Sequence, residues 1–306
     1  MKFLLTLLSF VSATPAASAA MFVTNTPEAD AFVRSNAPTS NYGAAGALSV
    51  SGPNAVNSSG VTNGVFDGFI RFNTAAMMTN FNAAFGSNNW VISSATLVLT
   101  ENTAPGNAIF NQGTGAFAIR WVANTNWVEG TGTPMAATTT GITYSEEASL
   151  LNTNTDTSLG AFTFTGAIPV VSCPLAMSAA LVTNLQAGGE VDLFLTAIDP
   201  GIGFVFYSRN FAGKPSSLPS LVVSAVSQPG LSAIAVAGTN IVLTVTNGVA
   251  GGTYYVLTST NLGSPFSQWT PVATNVLTTG GPFGITLTNA VNANNPPPRF
   301  FILQTY

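Results

Sequence analysis

The sequence predicts an all-β protein: a jelly-roll or β-sandwich module followed by a smaller immunoglobulin-like β-sandwich. Three observations carry this expectation. Apolar and polar residues alternate with period two in many short runs. In Phe117-Ala118-Ile119-Arg120-Trp121-Val122, for example, residues 117, 119 and 121 share one face and Arg120 takes the other. Clusters of Gly, Asn, Pro and Ser bound these runs and supply turn geometry. Only 6% of residues are charged and 46% are hydrophobic, against about 25% charged in an average soluble domain. Solubility therefore rests on Asn, Thr, Ser and Gly, a composition suited to strands and turns.

At the N-terminus, Lys2, the apolar run 3–11 and the small residues Ala17-Ser18-Ala19 have the charged start, short apolar centre and cleavage site of a secretory signal peptide. Residues 1–19 are expected to be removed, with cleavage near Ala19. The apolar run is too short for a membrane helix, and no later run reaches about 18 uninterrupted apolar residues. The mature chain is expected to lack a transmembrane segment and to be secreted, extracellular or at the cell surface. No cysteine follows the run to take a lipid anchor, and the Pro-rich stretch 295–299 lacks the tail of a lipid or sorting signal.

Strands are expected at 66–73, 92–100, 116–123, 161–165, 191–198, 203–209 and 221–226, with Asn63-Gly64 as a two-residue hairpin turn between 61–62 and 65–66. Two segments read as short surface helices. One is 74–85, rich in Ala and Met; the other is 174–187, where Leu175, Ala179, Val182 and Gln186 fall at helical spacing between Pro174 and Gly188-Gly189. Near Ser227-Gln228-Pro229-Gly230 the composition shifts, because all 11 carboxylates precede it and Arg299 is the only charged side chain after it. The boundary separates a first module at 20–227 from a second at 228–306. In the second module, strands are expected at 231–237, 241–246, 253–260, 268–273, 285–289 and 300–304, with a turn at Asn247-Gly248.

Ala29-Asp30-Ala31-Phe32-Val33-Arg34, then Asn41-Tyr42-Gly43 and Ala47-Leu48-Ser49-Val50, form a distinctive opening. Gly68-Phe69-Ile70-Arg71-Phe72-Asn73, residues 92–99, Asn126-Trp127-Val128-Glu129-Gly130, Phe206-Tyr207-Ser208-Arg209-Asn210 and Pro219-Ser220-Leu221-Val222-Val223 follow in order. Over roughly residues 28–226 the chain resembles the DNRLRE, or disaggregatase-related, module of secreted proteins, some of which are classed as CBM96-type carbohydrate-binding modules. Asn210 stands where that family often has glutamate. Tyr254-Tyr255-Val256-Leu257, Trp269-Thr270-Pro271-Val272 and Arg299-Phe300-Phe301 resemble a C-terminal immunoglobulin-like or fibronectin-like module of secreted bacterial proteins. The first resemblance implies a polysaccharide partner.

Composition narrows the chemistry. The chain has no histidine, which removes Ser-His-Asp and Cys-His nucleophilic sites and His-ligated zinc. A hydrolase would have to work with carboxylates, and a lyase with Tyr, Lys and Arg. Glu146-Glu147 is the only adjacent acidic pair; it reads as a solvated loop, and in a strand its side chains would point to opposite faces. No catalytic residue is assigned. Cys173 is the only cysteine, so no intramolecular disulfide forms; it reads as a small core residue, with an intermolecular disulfide as the other option. Removal of Lys2 leaves 6 basic and 11 acidic side chains, a net −5 (6 − 11), which opposes nucleic acid as a partner. Asn152-Thr153-Asn154-Thr155-Asp156 spaces oxygens as calcium loops do but lacks the central glycine and the distal glutamate. It reads as a plain loop, and neither metal nor cofactor is expected.

Two sets of residues are candidates for ligand binding. Arg34, Arg71, Arg120 and Arg209 sit in or at the end of different expected strands. They would either present a shared polar face to acidic or hydroxyl-rich sugars or pair internally with Asp30, Asp67 and Asp192. Aromatic platforms are the other means of holding polysaccharide: Trp127 leads, then Tyr42 and Tyr144, and a loop-anchoring core role for Trp127 is the alternative. Trp121 reads as core, and Tyr207 and Trp269 as structural. The expected function is noncatalytic polysaccharide binding or cell-surface scaffolding. A self-associating matrix protein is the alternative, with a histidine-free lyase or hydrolase as a third reading.

Overall fold

Period-two alternation becomes antiparallel sheet throughout. The computed structural model describes residues 20–57, 59–102, 114–165, 170–248, 251–279, 281–290 and 299–305; the expected signal peptide 1–19 and residues 295–298 of the Pro-rich stretch lie outside them. The chain divides into two compact units, Met21–Ala225 and Val226–Tyr306.

The first unit runs through β1 (Met21–Asn25), β2 (Ala29–Arg34), β3 (Ala47–Ser51), β4 (Phe66–Asn73), α1 (Ala75–Phe85), β5 (Trp90–Thr100), β6 (Gly115–Val122), α2 (Tyr144–Leu150), β7 (Thr157–Phe164), β8 (Val170–Pro174), α3 (Ala179–Gln186), β9 (Glu190–Ala197), β10 (Gly203–Tyr207) and β11 (Ser220–Ser227). One sheet has the order β1-β11-β5-β8 and the other β10-β3-β4-β9-β6-β7, with β2 also paired to β4. Leu97, Cys173 and Val223 of the first sheet share one core with Ile70, Phe117, Leu193 and Phe204 of the second, so the unit is a β-sandwich. Alternation sets the rest. Ile70 and Phe72 of β4 point into this core, whereas Phe69 points to the opposite face of its sheet, into a second core with Ala31, Val33, Val122, Trp127, Ile142, Leu150 and Phe194. The loop and helix at 123–151 thus form a third layer over the outer face of one sheet.

Several local expectations are corrected. Helix α1 forms as expected, anchored by buried Met77 and Phe81. The other expected helix begins only at Ala179, where the Ser178 hydroxyl accepts from Leu181 N–H, because residues 170–174 pair with β5 instead and Pro174 closes that edge strand. The hairpin expected at Asn63-Gly64 is displaced. Val56 bridges Thr62, the Asn57 carboxamide accepts from Ser59 and Val61 N–H, and Gly60 supplies the positive φ of +76°. Glu146-Glu147 lies in helix α2, where Thr143 and Glu146 form a capping box.

The second unit contains β12 (Gly230–Ala237), β13 (Asn240–Gly248), β14 (Thr253–Ser259), β15 (Thr270–Val276), β16 (Gly281–Leu287) and β17 (Phe300–Thr305). Its two sheets, β12-β13-β16 and β15-β14-β17, close a small sandwich around Leu243, Val245, Val256, Ile285 and Leu287. Trp269 is buried, with Nε1 donating to the Ser264 carbonyl at 2.9 Å. Among the described residues no helix is long and apolar enough to cross a membrane, which leaves strand-spanning barrels unaddressed.

Candidate functional site

The polar residues of the first unit converge where the 123–151 layer meets the sheet. Asn41 is fully buried and uses all four of its side-chain hydrogen-bonding positions. Its Nδ2 donates to the carbonyls of Glu129 (2.8 Å) and Ile142 (2.9 Å), and its Oδ1 accepts from Gly43 and Gly132 N–H, both at 3.1 Å. Three chain segments meet on one amide. The approach is close enough that a Cβ on Gly43, Gly130 or Gly132 would overlap backbone or the Asn41 side chain, so glycine is required there.

Glu129 is the second hub. Its carboxylate receives the Arg209 guanidinium fork at 2.7 and 2.8 Å, Asp30 N–H at 3.0 Å and Asn210 Nδ2 at 2.9 Å. Asn210 also donates to the Gly43 carbonyl at 2.8 Å, so it joins Glu129 to the 41–43 turn. Asp30 is fully buried and accepts from Arg209 N–H at 2.7 Å, while its Oδ1 has no donor. Burial pushes the Asp30 carboxyl up to about 7, against the Arg209 N–H bond that pulls it down.

Arg71 and Asp192 lie opposite each other on β4 and β9 and pair at 2.9 Å, with Glu190 at 3.6 Å. Trp127 is locked over them. Its Nε1 donates to Asp192 Oδ1 at 2.6 Å, the Arg71 guanidinium covers its ring at 4.8 Å, and Phe69 packs at 5.7 Å. Arg71 also donates to the Trp127 and Thr125 carbonyls. One arginine thereby fixes both strands and the loop.

Buried Asp67 of β4 and half-buried Glu147 of α2 come together as neighbouring carboxyls under the covering layer, a placement that favours a proton on the pair. Asp67 Oδ1 and Glu147 Oε2 are buried and have no hydrogen-bond partner. Burial, followed by the charge of Asp67, pushes Glu147 up to about 8; burial pushes Asp67 up to about 6, against a hydrogen bond from Thr196. Half-buried Tyr144 faces both, and its hydroxyl is also shifted upward, first by burial and then by the two acids.

Each candidate from the sequence can now be placed. Trp127 is 5% exposed and Tyr42 1% exposed, so neither ring face is a platform at the surface. Tyr42 stacks on Phe32 at 4.8 Å with Arg34 over its other side at 4.6 Å. Arg71 and Arg209 are consumed by internal ion pairs. They meet the acids Asp192 and Glu129; Asp67, expected as an arginine partner, pairs with Glu147 instead. Arg120 lies on the outer face of β6 opposite Phe194, and among the described residues no acid pairs with it. The loop 152–156 closes on itself: Asp156 accepts from Asn152 and Ala123 N–H, and Asn152 Oδ1 accepts from Asn154 N–H. Among the described residues no three metal-ligating side chains converge. Cys173 is fully buried and its thiol is pushed up to about 12 by burial.

Two clefts of this unit border candidate residues. One of about 240 Å³ lies between the Trp127 loop and α2, lined by Asn126, Gly141, Glu146 and Ser149 among others. The other, about 480 Å³, lies between half-buried Trp121 and α3, and Trp121 Nε1 and Asn184 Oδ1 are buried beside it without a partner.

No family model matches the chain, and no curated protein matches it. Among solved structures it is similar to a chain of the Macrobrachium rosenbergii nodavirus, at 10% identity over 100% of this chain and 96% of that one, with a TM-score of 0.23. That likeness is too low to argue from.

Proposed function

We propose that this is an exported, noncatalytic structural protein of a cell surface or matrix that works by associating with its own kind. The carrying observation is β12. Residues 232–237 of this edge strand are exposed in succession, without a charge or a proline, whereas edge strands of monomeric proteins are normally blunted by Lys, Pro or a covering element. Support also comes from the first unit. Its arginine, acid and aromatic clusters hold a loop layer onto a sheet, which builds a stiff block rather than a ligand face. Sedimentation velocity of the mature protein over a hundredfold concentration range tests the reading: the weight-average sedimentation coefficient rises with concentration, and one concentration-independent monomer contradicts it.

The second reading is polysaccharide binding, in line with the resemblance to CBM96-type modules. The groove beside Trp121 favours it, since about 480 Å³ falls within the range of about 300–1,000 Å³ for small-molecule sites. An aromatic flank suits a sugar ring.

A further inference from the structure

We infer that β12 is a homotypic interface: it pairs antiparallel with β12 of a second copy about a two-fold axis through Ala235. This rests on the self-association reading and names its surface. Within its sheet β12 is bonded to β13 alone, so one row of its backbone groups is open for another strand. The register with β13 places Ile234 opposite Leu243 and Val236 opposite Ile241, and directly opposed residues share a face. Leu243 and Ile241 point into the core. Ile234 and Val236 therefore point the same way, yet they are 59% and 66% exposed. Core-facing side chains left bare at a sheet edge mark a place where a further strand belongs.

The sequence of the run selects a copy of itself. Residues 233–237 read Ala-Ile-Ala-Val-Ala, small and large in the same order from either end. Pairing Ala235 with Ala235 sets Ile234 against Val236 of the partner twice, on the core-facing side, with alanines meeting on the other. A shift of one residue would set core-facing side chains against outward ones. The run itself is uncharged, and Arg299, the only charged side chain after residue 227, lines a groove with Ile234. The product joins two copies of the β12-β13-β16 sheet into one continuous sheet with an isologous interface.

Two double variants test this, I234K/V236K and I234E/V236E, at positions exposed enough to leave the module folded. Each alone is expected to weaken association at least about tenfold, because like charges then face each other across the axis. An equimolar mixture is expected to restore it, since the paired register sets the lysines of one variant against the glutamates of the other, and salt is expected to weaken the mixed pair. An Ala235→Cys variant is expected to cross-link on mild oxidation and Ala237→Cys is not, since opposed Cα atoms lie about 4.5–5.5 Å apart, within disulfide reach. Buried Cys173 stays out of that reaction. If wild type associates and the charged variants associate equally well, the β12 assignment is overturned and self-association stands. If wild type stays monomeric throughout, both fall.

Discussion

Arg209 and Glu129 meet fork to fork at 2.7 and 2.8 Å across 80 residues of sequence. Arg209 follows β10 and Glu129 sits in the layer covering the opposite face of the sheet, so the pair ties the end of the sandwich to its covering loop. Glu129 also holds Asp30 N–H and Asn210, and the arginine therefore completes a site that is polar on every side.

Arg209→Ala leaves Glu129 half-satisfied and partly buried. A stability loss of about 1.5–3 kcal/mol is expected, the range for hydrogen bonds to charged groups, discounted from fully buried ion pairs because the Arg209 side chain is 33% exposed. Arg209→Lys restores less than half, since an ammonium cannot occupy the fork. Urea denaturation of the three proteins measures this.

Asn41→Ala strands two N–H groups and two carbonyls in a buried site. The expected cost is at least about 3 kcal/mol, with each unsatisfied group contributing about 1–3 kcal/mol less any relaxation. Asn41→Asp keeps the shape but turns the donor end into an acceptor facing the Glu129 and Ile142 carbonyls, and it is expected to be no better. Thermal melts show the loss, and hydrogen exchange is expected to rise first across 123–151.

The Asp67 and Glu147 pair gives stability a pH dependence of known sign. Both carboxyls are raised above their ordinary values, to about 6 and about 8, so the folded protein binds more protons than the unfolded chain across that range. Their contribution is complete below about pH 4 and is lost as pH rises to about 8. Buried Asp30, raised to about 7, acts in the same direction. Glu147→Gln keeps a donor toward Asp67 and removes one charge. Its melting temperature is expected to fall less than that of wild type between pH 5 and 9, and to exceed wild type at pH 9. Equal slopes would contradict a proton held on the pair.

Trp127→Ala is expected to cost about 3–5 kcal/mol, as large-to-small changes in cores do. Trp127→Phe keeps part of the packing with Phe69 but abandons the 2.6 Å bond to Asp192, and falls between. Chemical denaturation orders the three.

Much of this was legible in the sequence. The all-β class followed from alternation and turn composition, and the segments that carry the DNRLRE resemblance, Asn41-Tyr42-Gly43, Trp127-Val128-Glu129-Gly130 and Ser208-Arg209-Asn210, are the ones that clasp the loop layer to the sheet. What they do was not legible, because Asn41 meets partners 88 to 101 residues away and nothing local marks it as a hub. Helix α2 has a local signal, since Thr143-Tyr144-Ser145-Glu146 has the spacing of a capping box, and this outweighs the loop reading of Glu146-Glu147. The convergence of Asp67 on Glu147 depends on how 123–151 folds back, which no periodicity encodes. Trp121, read as core, packs against the core and is half-buried, with its outer side at a groove beside α3.

Affinity electrophoresis of the mature protein and of Trp121→Ala, through gels containing neutral and acidic polysaccharides, separates assembly from glycan binding most directly. The account predicts that neither protein is retarded on any gel, while wild type associates in solution. Retardation of wild type by a particular glycan, lost in Trp121→Ala, would contradict it and return polysaccharide binding to first place.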